Sequence, residues 1–370
     1  MRIAIVGAGA VGCFLAARLS DAGHDMLLVG RGEQVDVINR DGLLVRDASG
    51  GERRYPLRAA TALAERPDLA LLTMKTQDVA AACQSIKPYV EGVPVVATQN
   101  GVRGDRIAAE VLGRDDVLGA VVMCATSYLE PGQISVQFDG WLIAGEPFGP
   151  VRPRTHQVVS VLRGGLPTYV SRHLMRTRWS KLIYNLINGL SAATGLLQPE
   201  LVRTEAGARL AVRTLQEGYR VARASGAKLD HGLYGLTPSA LRQDPNAALV
   251  ALLQSTMTSL LAVAPEPVAR RVLAAASRSR LNRIAIRGST WQSIQRGRPS
   301  EIEYLNGEVV RLGRMLGIPT PYNVRVVEMV HEAERSHVFR NIEDLMPSGT
   351  FRLEQQAGVR STSAQREDEP

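Results

Sequence analysis

From residue 2 to about residue 145, short β-branched runs alternate with stretches whose apolar residues recur every three or four positions. That alternation is the pattern of βαβ units around a largely parallel sheet. Residues 2–6, 26–29, 69–73, 93–97 and 117–124 read as strands, with helices over 11–22 and from about Gln77. Across 132–144 Ile134, Val136 and Phe138 alternate with polar neighbours, which predicts an antiparallel hairpin edging the sheet. Past the turn-rich Gly145-Glu146-Pro147-Phe148-Gly149-Pro150 the period becomes helical, with helices expected over 173–194, 199–224, 237–263, 266–280, 300–316 and 322–335. The expected architecture is an α/β Rossmann domain with a parallel-rich doubly wound sheet over 1–165, followed by an all-α C-terminal domain over 170–340. The polar stretch 346–370 reads as a disordered tail.

A length of 370 residues exceeds what one core usually serves, which agrees with two domains. No run of 18 uninterrupted apolar residues occurs, and the chain starts directly in a strand, so no membrane span is expected and a cytoplasmic location is. Cys13, Cys83 and Cys124 lack metal-ligand or CxxC spacing and are odd in number; they read as buried small hydrophobes, with no disulfide framework and no metal site. The net charge of +8 is carried by dispersed arginines without a nucleic-acid-binding signature. It suits an anionic small substrate and a phosphate-rich cofactor. Only Lys75, Lys87, Lys181 and Lys228 are lysines, so a lysine at a motif position is informative: an ammonium is a compact, tunable proton donor.

Gly7-Ala8-Gly9-Ala10-Val11-Gly12 is a GxGxxG between a strand and a helix, the context that gives the motif meaning. Gly7 permits the turn, Gly9 lets a pyrophosphate approach, and Gly12 lets helix and strand pack closely, while the helix N-terminus supplies N–H donors. Where an NAD enzyme carries an acidic residue after the second strand, this chain has Gly30-Arg31. A guanidinium there binds a 2′-phosphate, so NADP(H) is favoured; Glu33 stands nearby, and a solvated loop charge is the alternative for Arg31. Two more loops follow strand ends, Thr73-Met74-Lys75-Thr76 and Gln99-Asn100-Gly101. Asn100 there could bridge cofactor and substrate, although an Asn-Gly is also an ordinary turn.

In the helical half, Trp179-Ser180-Lys181-Leu182-Ile183-Tyr184-Asn185-Leu186-Ile187-Asn188 puts Lys181, Asn185 and Asn188 on one helix face, a cleft wall rather than plain core. Lys181 is placed to act as a general acid. A second cluster contains Ser289, then Ser300-Glu301-Ile302-Glu303, where a capping box accounts for one carboxylate and leaves Ser289 unexplained. Together they could offer a hydroxyl to a substrate carboxylate and a carboxylate to a substrate hydroxyl.

Through GAGAVG at 7–12, the LLTMKTQD loop, QNGV at 99–102, WSKLIYN at 179–185 and PSEIEYLNGEVV at 299–310, the chain resembles the ketopantoate reductase family to about residue 335. The resemblance implies reduction of 2-dehydropantoate by NADPH in a monomer or homodimer, with no nucleic-acid or membrane partner. It implies Lys181 as catalytic acid, Glu301 at the substrate hydroxyl and the cofactor, and Asn100 and Asn185 as substrate amides. Ser289 matches the carboxylate-binding serine, Arg31 and Lys75 match positions near the NADP phosphates, and Ala125 one beside the nicotinamide half. The family pattern carries a second asparagine four residues after the first, in N-x-x-x-N-P; here Asn188 follows Asn185 by three with Gly189 in place of the proline, and Ile286 replaces another asparagine. These departures leave open a different 2-oxo acid, an imine, or a cofactor-binding sensor without turnover.

Overall fold

A computed structural model describes residues 1–230, 260–277 and 288–346. Most of the expected helix 237–263, the end of that at 266–280, Ile286 and the tail from residue 347 onward lie outside them. Two compact units divide the described chain: one holds Met1–Asn185 and 226–230, the other Leu186–Ser225 and the described residues from Leu260 onward.

In the first unit the strands are Arg2–Val6 (β1), Asp25–Val29 (β2), Leu43–Arg46 (β3), Glu52–Tyr55 (β4), Arg58–Ala60 (β5), Leu69–Leu72 (β6), Val95–Ala97 (β7), Leu118–Glu130 (β8), Gln133–Gly145 (β9) and Thr168–Val170 (β10). They form one mostly parallel sheet, ordered β4-β3-β9-β8-β7-β6-β1-β2-β5, with β10 pairing β9. The helices are Ala10–Asp21 (α1), Gly32–Asp41 (α2), Val79–Ile86 (α3), Gly104–Leu112 (α4) and Pro153–Gly165 (α5), and Leu174–Thr194 (α6) begins here. β1 shows why the strands read as apolar runs. Ile3 and Ile5 join Phe14 of α1 and Leu162 of α5 in one core, while Ala4 and Val6 join Val79 and Cys83 of α3 and Ala108 of α4 in another. Side chains alternate across a strand, so a sheet with helices on both faces needs apolar residues at every position.

The hairpin of β8 and β9 is not an edge, which corrects the sequence expectation. β3 pairs with β9 in parallel, and β4 extends the sheet beyond it. Four-residue strands such as Glu52-Arg53-Arg54-Tyr55, with three exposed positions, carry too little apolar pattern to be recognised.

The second unit is helical: Gln198–Arg203 (α7), Glu205–Ala224 (α8), Glu266–Ser277 (α9), Ser289–Gln295 (α10), Asn306–Leu316 (α11) and Pro321–Ser336 (α12). The single helix expected over 199–224 is two, because Thr204 is extended and its hydroxyl accepts the Gly207 N–H, capping α8. Likewise the helix expected from 300 starts only at Asn306, after a 3-10 turn at Ile302–Tyr304 and a non-helical Leu305. α8 packs against α7, α9, α11 and α12. Inside this bundle Glu217, 1% exposed, accepts the N–H groups of Tyr322 and Asn323 at 3.1 and 2.9 Å and so caps α12. Burial pushes its carboxyl up, opposed by those same donors.

Candidate active site

The glycine-rich loop leaves β1 and enters α1 at the carboxyl edge of the parallel strands, where open α/β sheets bind ligands. Each glycine has a separate reason. Gly7 has φ +118° and a Cβ there would stand 2.5 Å from the Met74 nitrogen; a Cβ at Gly12 would meet the Thr73 hydroxyl at 2.6 Å. Gly9 caps α1 with no side-chain bond, and a Cβ on it would meet nothing within 4 Å. The loop is thus closed on its protein side and open where a pyrophosphate would approach N–H donors, so the residues present fit a dinucleotide. Ala8 completes the turn, and Ala10 and Val11 open α1.

Hydrogen bonds link the neighbouring strand ends. Gly7 donates to the Val29 carbonyl, Thr73 Oγ1 to Gly7 O at 2.7 Å, and Gln99 Nε2 to the carbonyls of Leu72 and Met74 at 2.8 and 3.0 Å. Buried Gln34 of α2 donates to Ala8 O at 3.0 Å and accepts from Tyr128 OH and the Gly132 N–H, fixing the glycine loop to the β8–β9 hairpin. Arg31 caps α2 through its backbone, and its side chain is 81% exposed with a loose 3.6 Å ion pair to Asp78. Lys75 is half-buried at the start of the 3-10 turn Thr76–Asp78, and Asn100 is half-buried after β7, its carbonyl facing Thr76 Oγ1 at 3.4 Å.

α6 is anchored to this edge by a residue that the motif reading passed over. Arg178, 2% exposed, donates to Gln99 O at 2.6 Å and Ala97 O at 2.9 Å and forms an ion pair with buried Asp105 of α4. Burial pushes the Asp105 carboxyl up, against the pull of the guanidinium. An arginine one turn before Lys181 in an apolar helix was the available signal. Lys181 itself is half-buried and donates to the Val122 carbonyl of β8. Cys124 and Ala125 follow on that strand, both partly covered, with a register shift between Met123 and Ala125. Asn185, one turn beyond Lys181, is 7% exposed. Burial pushes the thiols of Cys13, Cys83 and Cys124 to about 12, and Cys13 and Cys83 are buried as expected while Cys124 is only partly so.

In the second unit, Asn188 accepts a hydrogen bond from Gln198, and a Cβ on Gly288 would lie 3.3 Å from its Cγ. Ser289 opens α10 in an exposed position, and its carbonyl accepts from Ser293. Glu301 is 8% exposed, and its carbonyl accepts the Tyr304 N–H. The expected capping box is absent: Ser300 Oγ accepts from Ile302 N, two residues on, and Glu303 turns outward to His331. The two carboxylates therefore differ in kind, Glu301 buried and Glu303 60% exposed. Among the described residues no cluster could hold a metal ion, and no described helix is long and apolar enough to cross a membrane.

A glycine-rich strand-to-helix turn at the carboxyl edge of a mostly parallel sheet, followed by a helical region, defines a Rossmann-type dinucleotide-binding class. Within it, residues 3–148 match the family model described as ketopantoate reductase PanE/ApbA and residues 173–334 match its C-terminal model, so the chain belongs to that family. A 2-dehydropantoate 2-reductase of Pyrococcus horikoshii is 26% identical, covering 90% of this chain and 98% of its own. A crystal structure of a PanE/ApbA family ketopantoate reductase from Ralstonia eutropha is 29% identical with a TM-score of 0.72, over 90% of this chain and 99% of its own. D-mandelate dehydrogenase has the same fold, with a TM-score of 0.74 over 91% of this chain and 99% of its own at 22% identity. Membership makes the chain an oxidoreductase of CH–OH groups, with a nicotinamide cofactor and a small 2-oxo acid as substrate.

Proposed function

We propose that the chain reduces 2-dehydropantoate to pantoate with NADPH, Lys181 serving as the proton donor. The observation that carries this reading is the seating of Lys181: its helix is tied through Arg178 to the loop that bears Asn100, and its ammonium is aimed by the Val122 carbonyl. When bound, the cofactor supplies a hydride to the substrate's carbonyl carbon. Charge then develops on the carbonyl oxygen, and a lysine held there can hand it a proton, a contribution of about 10²- to 10⁴-fold. Gly7 through Gly12 would hold the pyrophosphate, Arg31 and Lys75 the adenosine-side phosphates, and Ala125 would border the nicotinamide. Arg31 is free to leave its 3.6 Å contact with Asp78 for a 2′-phosphate. Asn100, Asn185 and Asn188 offer amides, Ser289 a hydroxyl for the substrate carboxylate, and Glu301 an acceptor for its hydroxyl. On this reading 1–165 is the cofactor-binding domain and 170–340 the substrate and catalytic domain.

A second reading keeps the mechanism and changes the 2-oxo acid. It is favoured by Gly189, four residues after Asn185, where an added Cβ would stand 2.6 Å from Val326 Cγ1 and 2.7 Å from Asn306 Oδ1. No second amide can project there, and Asn188 is engaged by Gln198 instead. Oxidation of NADPH with 2-dehydropantoate and a panel of smaller and larger 2-oxo acids, repeated with NADH, separates the readings. Best turnover with 2-dehydropantoate supports the first; a better alternative acid replaces it with the second; no turnover with any acid removes both.

A further inference from the structure

The chain around Glu301 is held from both sides by one pair of residues on α12. Before Glu301, the Ser300 N–H donates to Glu334 Oε1 at 2.7 Å. After it, Glu303 Oε1 meets His331 Nε2 at 2.7 Å. The two ties are joined, because His331 Nδ1 meets Glu334 Oε2 at 2.9 Å. Between these anchors the backbone is further tightened by the Ser300 Oγ bond to Ile302 N at 3.2 Å and by the Tyr304 N–H to the Glu301 carbonyl at 2.9 Å. The clamp ties the segment to two side chains spaced i, i+3 on a sixteen-residue helix, so the loop inherits the rigidity of that helix.

We propose that His331 and Glu334 are positioning residues for Glu301, clamping the Ser300–Glu303 segment so that the buried carboxylate between the anchors keeps one orientation. The inference rests on the reading of Glu301 as a site residue. The imidazole is best suited to the task when protonated, since both ring nitrogens then donate, one to each carboxylate. Partial burial pulls His331 down, yet the bonds to Glu303 and Glu334 hold it above its ordinary value. For Glu334, burial raises the carboxyl while Ser300 and His331 lower it further, leaving it below the usual range. Among the described residues these two glutamates are the charged groups that face His331.

The test is a double-mutant cycle on the full chain with NADPH and the best 2-oxo acid, pairing His331→Ala with Glu301→Gln. If His331 acts through Glu301, His331→Ala lowers kcat/KM about tenfold in the native background and less than about twofold once Glu301 is replaced. Equal losses in both backgrounds overturn the clamp while leaving Glu301 in the site. A Glu301→Gln variant with native kcat/KM overturns the reading of Glu301, and the inference with it. Hydrogen exchange gives a readout that needs no turnover: in His331→Ala, amides across 300–305 exchange faster by more than the small drop in melting temperature accounts for, and unchanged exchange there sinks the proposal.

Discussion

At the carboxyl edge of the sheet the main ties are covered: the glycine loop is held by half-buried Thr73 and buried Gln34, and α6 by Arg178 and Asp105, whose side chains are each 2% exposed. Around Glu301 the ties are partly wet, with His331 33% and Glu303 60% exposed. On the proposed function both regions fix a site residue to within a fraction of an ångström. Buried ties depend on close packing and resist salt and pH, and they fail badly when one partner is lost. Solvated ties are weak singly and titrate, so several must act together to hold one geometry. The contrast predicts that the cofactor edge and the Glu301 loop respond to different perturbations.

The largest expected effect is from Arg178→Ala, which strands Asp105 in the core; a loss of about 3–5 kcal/mol in denaturant unfolding is expected. If the loss matches the small effect of His331→Ala, the contrast fails. Next, Gly189→Asn puts an amide four residues after Asn185 but drives a side chain into Val326 and Asn306, and about 1–3 kcal/mol of destabilisation follows. Arg31→Ala leaves the fold alone and raises KM for NADPH about tenfold, close to 1.4 kcal/mol, with KM for NADH unmoved. An unmoved KM for NADPH would make Arg31 the solvated loop charge, and a parallel rise for both cofactors would take it off the 2′-phosphate.

The smallest effect is the pH response. Since folding raises the His331 value above its ordinary 6.5, its contribution is complete below 6.5 and fades as pH climbs through the raised value. Glu334 has the opposite sign: lowered from 4.5, its contribution is present above 4.5 and lost as pH falls through the depressed value. Native protein should therefore lose a little stability on the alkaline side of 6.5 that His331→Ala does not lose. Melting curves across that range check it, and identical pH slopes would contradict it.

How much of this was readable in advance differs between the same two regions. The glycine loop, the strand ends and α6 were legible because their requirements are local: a turn that excludes Cβ atoms, a two-residue alternation, a helical stripe. Lys181 and Asn185 were placed on their helix from spacing and resemblance, whereas Glu301, expected inside a helix, precedes the 3-10 turn at Ile302–Tyr304. What stayed hidden depends on partners far along the chain. Arg178 finds Asp105 across 73 residues and Glu217 caps a helix that starts 104 residues later, and no local pattern encodes such pairings. The capping box failed for a related reason, since Ser300 and Glu303 are claimed by α12 rather than by each other. β3 and β4, which move the hairpin off the sheet edge, are only four residues each: β3 is apolar but too short to show a period, and β4 is polar as well.

The central claim is that Lys181 supplies the proton and is not merely part of the wall. The most direct measurement is the kcat of Lys181→Ala with NADPH and the preferred 2-oxo acid, beside the Kd of the same variant for NADPH alone. The account predicts that kcat falls by about 10²- to 10⁴-fold while Kd stays within about twofold, since the glycine loop and its buried ties are untouched. A kcat near native would show that the proton comes from another group.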